Sequence, residues 1–176
     1  MPDAAALPPW HQIVLDTFKQ NDIRLIPYVP DNVLRPLIEG VHADPFFHAF
    51  TCAREEEALG IAAGAWMGGL RSMVLMQTSG FATLANVIAS LAVPAQIPVL
   101  MMVSERGTLG EFNQGQALVA RTMRPVMDAL AMEHHTITRL DETGFIVDRT
   151  IRQAVATQAP ATLILSPLLT GGKAQP

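Results

Sequence analysis

Residues 72–104 read SMVLMQTSGFATLANVIASLAVPAQIPVLMMVS and contain no Asp, Glu, Lys or Arg. A membrane span needs about 20 mostly apolar residues. Here Gln77, Thr78, Ser79, Gly80, Asn86, Pro94, Gln96 and Pro98 interrupt the run. It divides instead into a strand at 72–77 (SMVLMQ), a turn, a helix at 81–92 and a second strand at 97–103 (IPVLMMV). Both strands are apolar at successive positions rather than at every second one. That pattern marks strands covered on both faces, as in a parallel sheet.

The alternation continues outward from this stretch. Ile13, Val14 and Phe18, with polar spacers, predict a helix over 9–20, followed by a strand over 23–29. Pro30-Asp31-Asn32 forms a loop that starts a helix running to 39; an aromatic-rich strand covers 46–52 and a helix 54–69. Downstream come a helix at 116–132, a strand at 135–139, a helix at 143–157 and a closing strand at 161–165. The expected fold is α/β: a single doubly wound, mainly parallel six-stranded sheet with helices on both faces. Residues 1–9 are expected to be a flexible lead-in, 10–170 the domain and 171–176 a polar tail.

Composition narrows the function. The 176 residues suit one domain. With Lys+Arg at 12 and Asp+Glu at 16 the net charge is −4, and charged residues are 16% of the chain. A chain this apolar is not disordered. Mildly acidic and without a Lys/Arg block, it is not built to grip a phosphate backbone, so no nucleic-acid partner is expected. Cys52 alone makes neither an internal disulfide nor a Cys-rich metal site. His11, His42, His48, His134 and His135 show no metal-ligand spacing. His134 and His135 project to opposite sides of a strand and read as structural or solvated. Residues 1–10 lack a basic region followed by an apolar run, so no signal peptide is expected, and the location is expected to be cytoplasmic with no membrane.

In a parallel α/β sheet, ligands bind beyond the carboxyl ends of the strands. That rule selects Pro30-Asp31, Ala53-Arg54-Glu55, Gln77-Thr78-Ser79-Gly80 and Ser104-Glu105-Arg106-Gly107. Glu55 stands three residues before Ala58 and seven before Ala62, so it shares the small, apolar stripe of its helix, whereas Glu56 and Glu57 lie on other faces. Two readings stay open for it. It is either decoration of a helix N-terminus, stabilised by the dipole, or a carboxylate on a packed face that needs a partner. Eight of the residues 58–69 are Ala or Gly, which fits tight internal packing or the close approach of a second backbone, subunit or flat ligand. The backbone and hydroxyls of Gln77–Gly80 can bind a polar ligand. P-loop, GxGxxG and GxSxG patterns are absent.

REEEALGIAAGAW (54–66), VLMQTSG (74–80), IPVLMMVSERGTLGE (97–111) and YVPDNVL (28–34) together resemble the pyrimidine-binding half of thiamine diphosphate enzymes. Within that group the likeness is to the family of sulfopyruvate decarboxylase alpha subunits and phosphonopyruvate decarboxylases, over residues 23–130. The resemblance implies the pyrimidine-domain fold and a carboxy-lyase acting on a small anionic 2-oxo acid. It implies that Glu55 meets N1′ of the aminopyrimidine and so promotes loss of the cofactor's C2 proton. It places Asp31 near the reacting carbon as an acid/base or orienting group, and Gln77, Thr78, Ser79 and Gly80 along the pyrimidine pocket. Arg106 becomes a candidate for the substrate's anionic tail. From the residues alone, Asp31 is equally a helix N-cap and Arg106 a solvated side chain.

Thr78 stands where the family usually has Asn, and Ala82-Thr83 where it has Gly-Asn, which leaves the choice of 2-oxo acid open. The GDG motif and downstream Asn that hold the diphosphate and Mg2+ do not occur in these 176 residues. The resemblance therefore implies a beta subunit that carries them, and a hetero-oligomer. 3-Sulfopyruvate is the expected substrate. Phosphonopyruvate, another thiamine-dependent lyase or carboligase reaction, and a non-catalytic assembly partner are the alternatives.

Overall fold

A computed structural model describes residues 7–173. Of the expected lead-in, residues 7–9 are exposed and irregular and 1–6 lie outside the described residues; of the tail, 171–173 are irregular and 174–176 lie outside. Helix α1 (Trp10–Gln20) starts after Pro9 and buries Trp10, Val14, Leu15 and Phe18. Asp22 then turns the chain with φ 54 into β1 (Ile23–Tyr28). There follow α2 (Arg35–Ala43), β2 (His48–Thr51), α3 (Glu55–Met67), β3 (Arg71–Ser72), β4 (Val74–Gln77) and α4 (Thr78–Phe81). The short α5 (Ala85–Val87) runs into a π-helical turn, Ile88–Ala92, ahead of β5 (Leu100–Ser104). Helix α6 (Gln114–Ala129), β6 (Glu133–Ile137), α7 (Thr143–Thr157), β7 (Ala161–Leu165) and α8 (Pro167–Thr170) complete the chain.

The strands line up in the order β2-β1-β4-β5-β7-β6, every pairing parallel. β3 also pairs β1, so β3 and β4 occupy one position of the expected six, interrupted at Met73, whose N–H donates to the Leu25 carbonyl at 3.0 Å. Successive residues of the strands feed opposite cores. Leu75, Leu100 and Met102 join α1, α2 and α7 on one face, while Val74, Met76, Met101 and Val103 join α3, α4, α5 and α6 on the other. This two-sided burial explains the run without charges, because a carboxylate or ammonium at any of these positions would be stranded away from water. Chain order reverses between β1 and β4, and the loops that leave those two strands flank a crevice at their carboxyl ends.

Boundaries differ from the expected ones where local rules compete. Helix α2 begins at Arg35 rather than near residue 31, because Asp31 folds its side chain over a preceding turn and Pro36 fits the first helical turn. The helix expected over 81–92 starts earlier, at Thr78, and breaks at 82–84, where the Thr83 hydroxyl donates back to the Gly80 carbonyl at 2.9 Å. Pro98, lacking an N–H, delays β5 to Leu100. No described helix is long and apolar enough to cross a membrane.

Candidate active site

The polar residues gather where the topology directs them. Asp31, in the loop after β1, uses a single oxygen three times. Its Oδ1 accepts from the N–H of Val33 at 2.9 Å, the N–H of Leu34 at 3.1 Å and the hydroxyl of Ser104 at 2.9 Å. Ser104 is the last residue of β5 and fully buried. Asp31 is therefore a turn cap and at the same time tied to another strand, and its Oδ2 has no partner among the described residues.

The three glutamates that open α3 separate as their spacing predicts. Glu57 accepts from the Ala53 N–H at 2.8 Å, which anchors the helix start. Glu56 is held below the usual carboxylate range by its own backbone N–H and by Arg54, 3.4 Å away. Glu55 does neither. Half-buried on the same stripe as the buried Ala58 and Ala62, it makes no hydrogen bond or ion pair among the described residues. Its carboxylate lies directly over Gly80. A Cβ at that position would collide with Oε1, Cδ and Cγ of Glu55, so Glu55 keeps this place only because the first turn of α4 presents bare backbone there.

Thr78 serves the scaffold. Fully buried, its hydroxyl donates to the Ser104 carbonyl at 3.1 Å and accepts the Arg106 N–H at 2.9 Å, which fastens the end of β4 to the end of β5. Ser79 is half-buried, with no hydrogen bond among the described residues, and Gln77 is half-buried.

Arg106 is not solvated. Buried, it grips Glu111 with two parallel bonds, Nε to Oε2 at 2.7 Å and Nη2 to Oε1 at 2.9 Å. Glu111 also accepts from the N–H groups of Gly107 and Asn113. The paired guanidinium, with these N–H groups, holds the Glu111 carboxyl down to about 2. The same pairing raises Arg106, with a smaller contribution from the charge of Asp31. The loop can close this tightly because Gly107 has φ +82 and lies against the Gln116 backbone, where any side chain would clash.

These strand ends border a cleft of about 470 Å³ lined by Tyr28, Pro30, Asp31, Asn32, Arg35, Ile38, Gln77, Arg106, Asn113, Gln116 and Lys173. Asp31, Gln77 and Arg106 thus come together on one wall system. Glu55, Thr78, Ser79 and Gly80 do not line the cleft. Tyr28 is held by a 2.8 Å hydrogen bond between its hydroxyl and His42 Nε2, and burial pushes its pKa up. The Gln116 Oε1 is buried without a partner among the described residues. Among the described residues no group of three or more His, Cys, Asp or Glu could hold a metal ion.

Sequence reasoning missed Tyr28, Arg35, Asn113, Gln116, Lys173 and the Arg106–Glu111 pair. Only the last had a local signal, opposite charges five residues apart with Gly107 and Gly110 between them. The others meet through the tertiary fold.

The fold and its polar rim define an α/β domain with a polar cleft at the carboxyl ends of a parallel sheet. A domain of 2-oxoglutarate:ferredoxin oxidoreductase from Magnetococcus marinus, solved with 2-oxoglutarate, coenzyme A and succinyl-CoA bound, has the same fold. It superposes with a TM-score of 0.72 at 11% identity, covering 94% of this chain and 30% of that one. No family model matches. The sulfopyruvate decarboxylase subunit alpha of Methanothermobacter thermautotrophicus is 42% identical over 108 residues, 61% of this chain and 66% of that subunit. The corresponding subunit of Methanocaldococcus jannaschii is 36% identical over 115 residues, 65% of this chain and 68% of that one. Phosphonopyruvate decarboxylase of Streptomyces viridochromogenes is 38% identical over 106 residues but is matched over only 27% of its length. The chain belongs to the family of the sulfopyruvate decarboxylase alpha subunits. Its matches to the two alpha subunits span about two thirds of their length.

Proposed function

We propose that this chain is the glutamate-bearing subunit of a thiamine diphosphate-dependent decarboxylase that converts 3-sulfopyruvate to sulfoacetaldehyde and CO2. The observation that carries the reading is Glu55, the one glutamate of the α3 start left without a partner among the described residues, set against the bare backbone of Gly80. An unpaired half-buried carboxylate beside a side-chain-free surface fits a flat heteroaromatic ring with a basic nitrogen. Glu55 would hold that ring nitrogen and share its proton, while Ser79 and Gly80 would border the ring. When bound, thiamine diphosphate supplies a nucleophilic carbon and an electron sink for the loss of CO2.

Asp31 works from the other side. With Oδ1 fixed by three donors, its orientation is set before any ligand arrives, and the remaining oxygen can hold or move a proton at the reacting carbon. The chain offers no acidic cluster for Mg2+ among the described residues. The metal and the diphosphate would be held by a beta subunit carrying the GDG motif, in a hetero-oligomer placed in the cytoplasm. Phosphonopyruvate is the second substrate to consider, since a phosphonopyruvate decarboxylase is 38% identical over its matched segment.

The test is to co-purify the chain with its partner, add thiamine diphosphate and Mg2+, and follow CO2 release from a panel of 2-oxo acids. Release from 3-sulfopyruvate above pyruvate is expected. No turnover of any acid with cofactor bound would overturn the proposal. Glu55→Gln should abolish turnover and leave assembly intact.

A further inference from the structure

The resemblance makes Arg106 the candidate for the substrate's anionic tail, yet the structure gives its guanidinium another task. Two of its three nitrogens are committed to Glu111, whose carboxylate neutralises it within the buried loop. Two other cations reach the cleft. Arg35 stands at the start of α2, and Lys173 follows α8 at the far end of the chain. Both also line an adjoining depression of about 260 Å³ with Asn32 and Pro36, so they border one continuous hollow. Neither makes an ion pair among the described residues. Arg35 donates only to the Asn32 side chain at 3.1 Å, and the Lys173 ammonium stands 5.3 Å from the centre of the Phe112 ring.

Two cations that make no ion pair among the described residues, set on one hollow, repel each other and gain from an anion between them. Asn113 and Gln116 line the same cleft. Among the described residues Asp31 is the only carboxylate lining the cleft, so a carboxylate or sulfonate is drawn to the side away from it.

Resting on the proposed decarboxylase reading, we infer that Arg35 and Lys173 receive the sulfonate or phosphonate tail of the substrate, and that Arg106 is a strut that holds the wall of the cleft. A monoanionic 2-oxo acid such as pyruvate leaves these two cations unsatisfied. The site therefore selects for a second negative charge on the third carbon.

The test uses the complex of the chain with its partner and, as probe, the unreactive dianion 3-sulfopropanoate, with propanoate for comparison. Binding is read by calorimetry, independently of turnover. We expect 3-sulfopropanoate to bind at least tenfold more tightly than propanoate. Arg35→Gln and Lys173→Gln should each weaken it about tenfold, as expected for loss of one charge-assisted contact. Arg121→Gln, which removes an exposed charge away from the cleft, should leave it unchanged. The pyruvate KM should hardly move in the two cleft variants, while that for 3-sulfopyruvate rises. Equal binding of the two probes, or unchanged 3-sulfopropanoate affinity in both cleft variants, would overturn the inference. A complex that binds the sulfonate as expected but decarboxylates no 2-oxo acid would overturn the reaction and leave the anion site standing.

Discussion

Replacing Glu111 by Gln tests whether the Arg106 loop is a strut. An ordinary glutamate titrates near 4.5 and Glu111 at about 2. At 1.36 kcal/mol per pH unit the difference is worth about 3 kcal/mol, and screening at the rim of a cleft trims it to about 2. Because the folded-state pKa is depressed, this stability is complete above pH 4.5 and is lost as the pH falls through about 2. The variant also leaves the buried guanidinium of Arg106 without its counter-charge, which is costly in its own right. Urea unfolding should therefore find Glu111→Gln about 2–4 kcal/mol less stable than the wild type at pH 7. The gap should stay level down to about pH 5 and narrow below 4.5. Equal stability at pH 7, or a gap that widens in acid, would refute the strut.

Gly80→Ala puts a methyl group where the Glu55 carboxylate lies, so Glu55 must swing aside at a cost of about 1–3 kcal/mol. Turnover should drop as it does in Glu55→Gln while the circular dichroism spectrum is retained; wild-type turnover would remove the contact from the site. Ser104→Ala strips one of three donors from Asp31 Oδ1 and should cost about 1–3 kcal/mol in urea unfolding. It should also lower kcat with little change in the 3-sulfopyruvate KM, because it acts through the orientation of Asp31; an unchanged kcat would make the bond purely structural.

The middle of the sheet was legible because Val74–Met76 and Leu100–Val103 are apolar at successive positions, as strands covered on both faces are, whereas the edge strands β2 and β6 carry His48, Glu133, His134 and His135. Glu55 was legible for a related reason, since its spacing to Ala58 and Ala62 set it apart from Glu56 and Glu57 before any coordinates. Asp31 was half-legible: both roles open to it in the sequence, a cap and a group at the reacting carbon, use the same carboxylate, and the structure shows the cap made by one oxygen alone. Arg106 and Thr78 were harder to read. Their loops carry the right residue types, but Arg106 is taken up by Glu111 through a turn that only the folded loop makes, and Thr78 is bonded to residues 26 and 28 positions away. Arg35 and Lys173 come from opposite ends of the chain, and no local pattern connects them.

The bonds that join Thr78 to Ser104 and Arg106, and Ser104 to Asp31, have a consequence for mobility. Sites built on loops are commonly drawn from the least stable parts of a protein. Here the rim is laced to buried strand ends, and the buried Arg106 amide can exchange its hydrogen only when its bond to the Thr78 hydroxyl breaks. Hydrogen exchange should find this amide among the slowest in the chain, and the amides near Phe112 and Lys173 among the fast ones. That result would make one side of the cleft rigid and the other free to adjust. A substrate would be held still at its reacting end and accommodated at its tail.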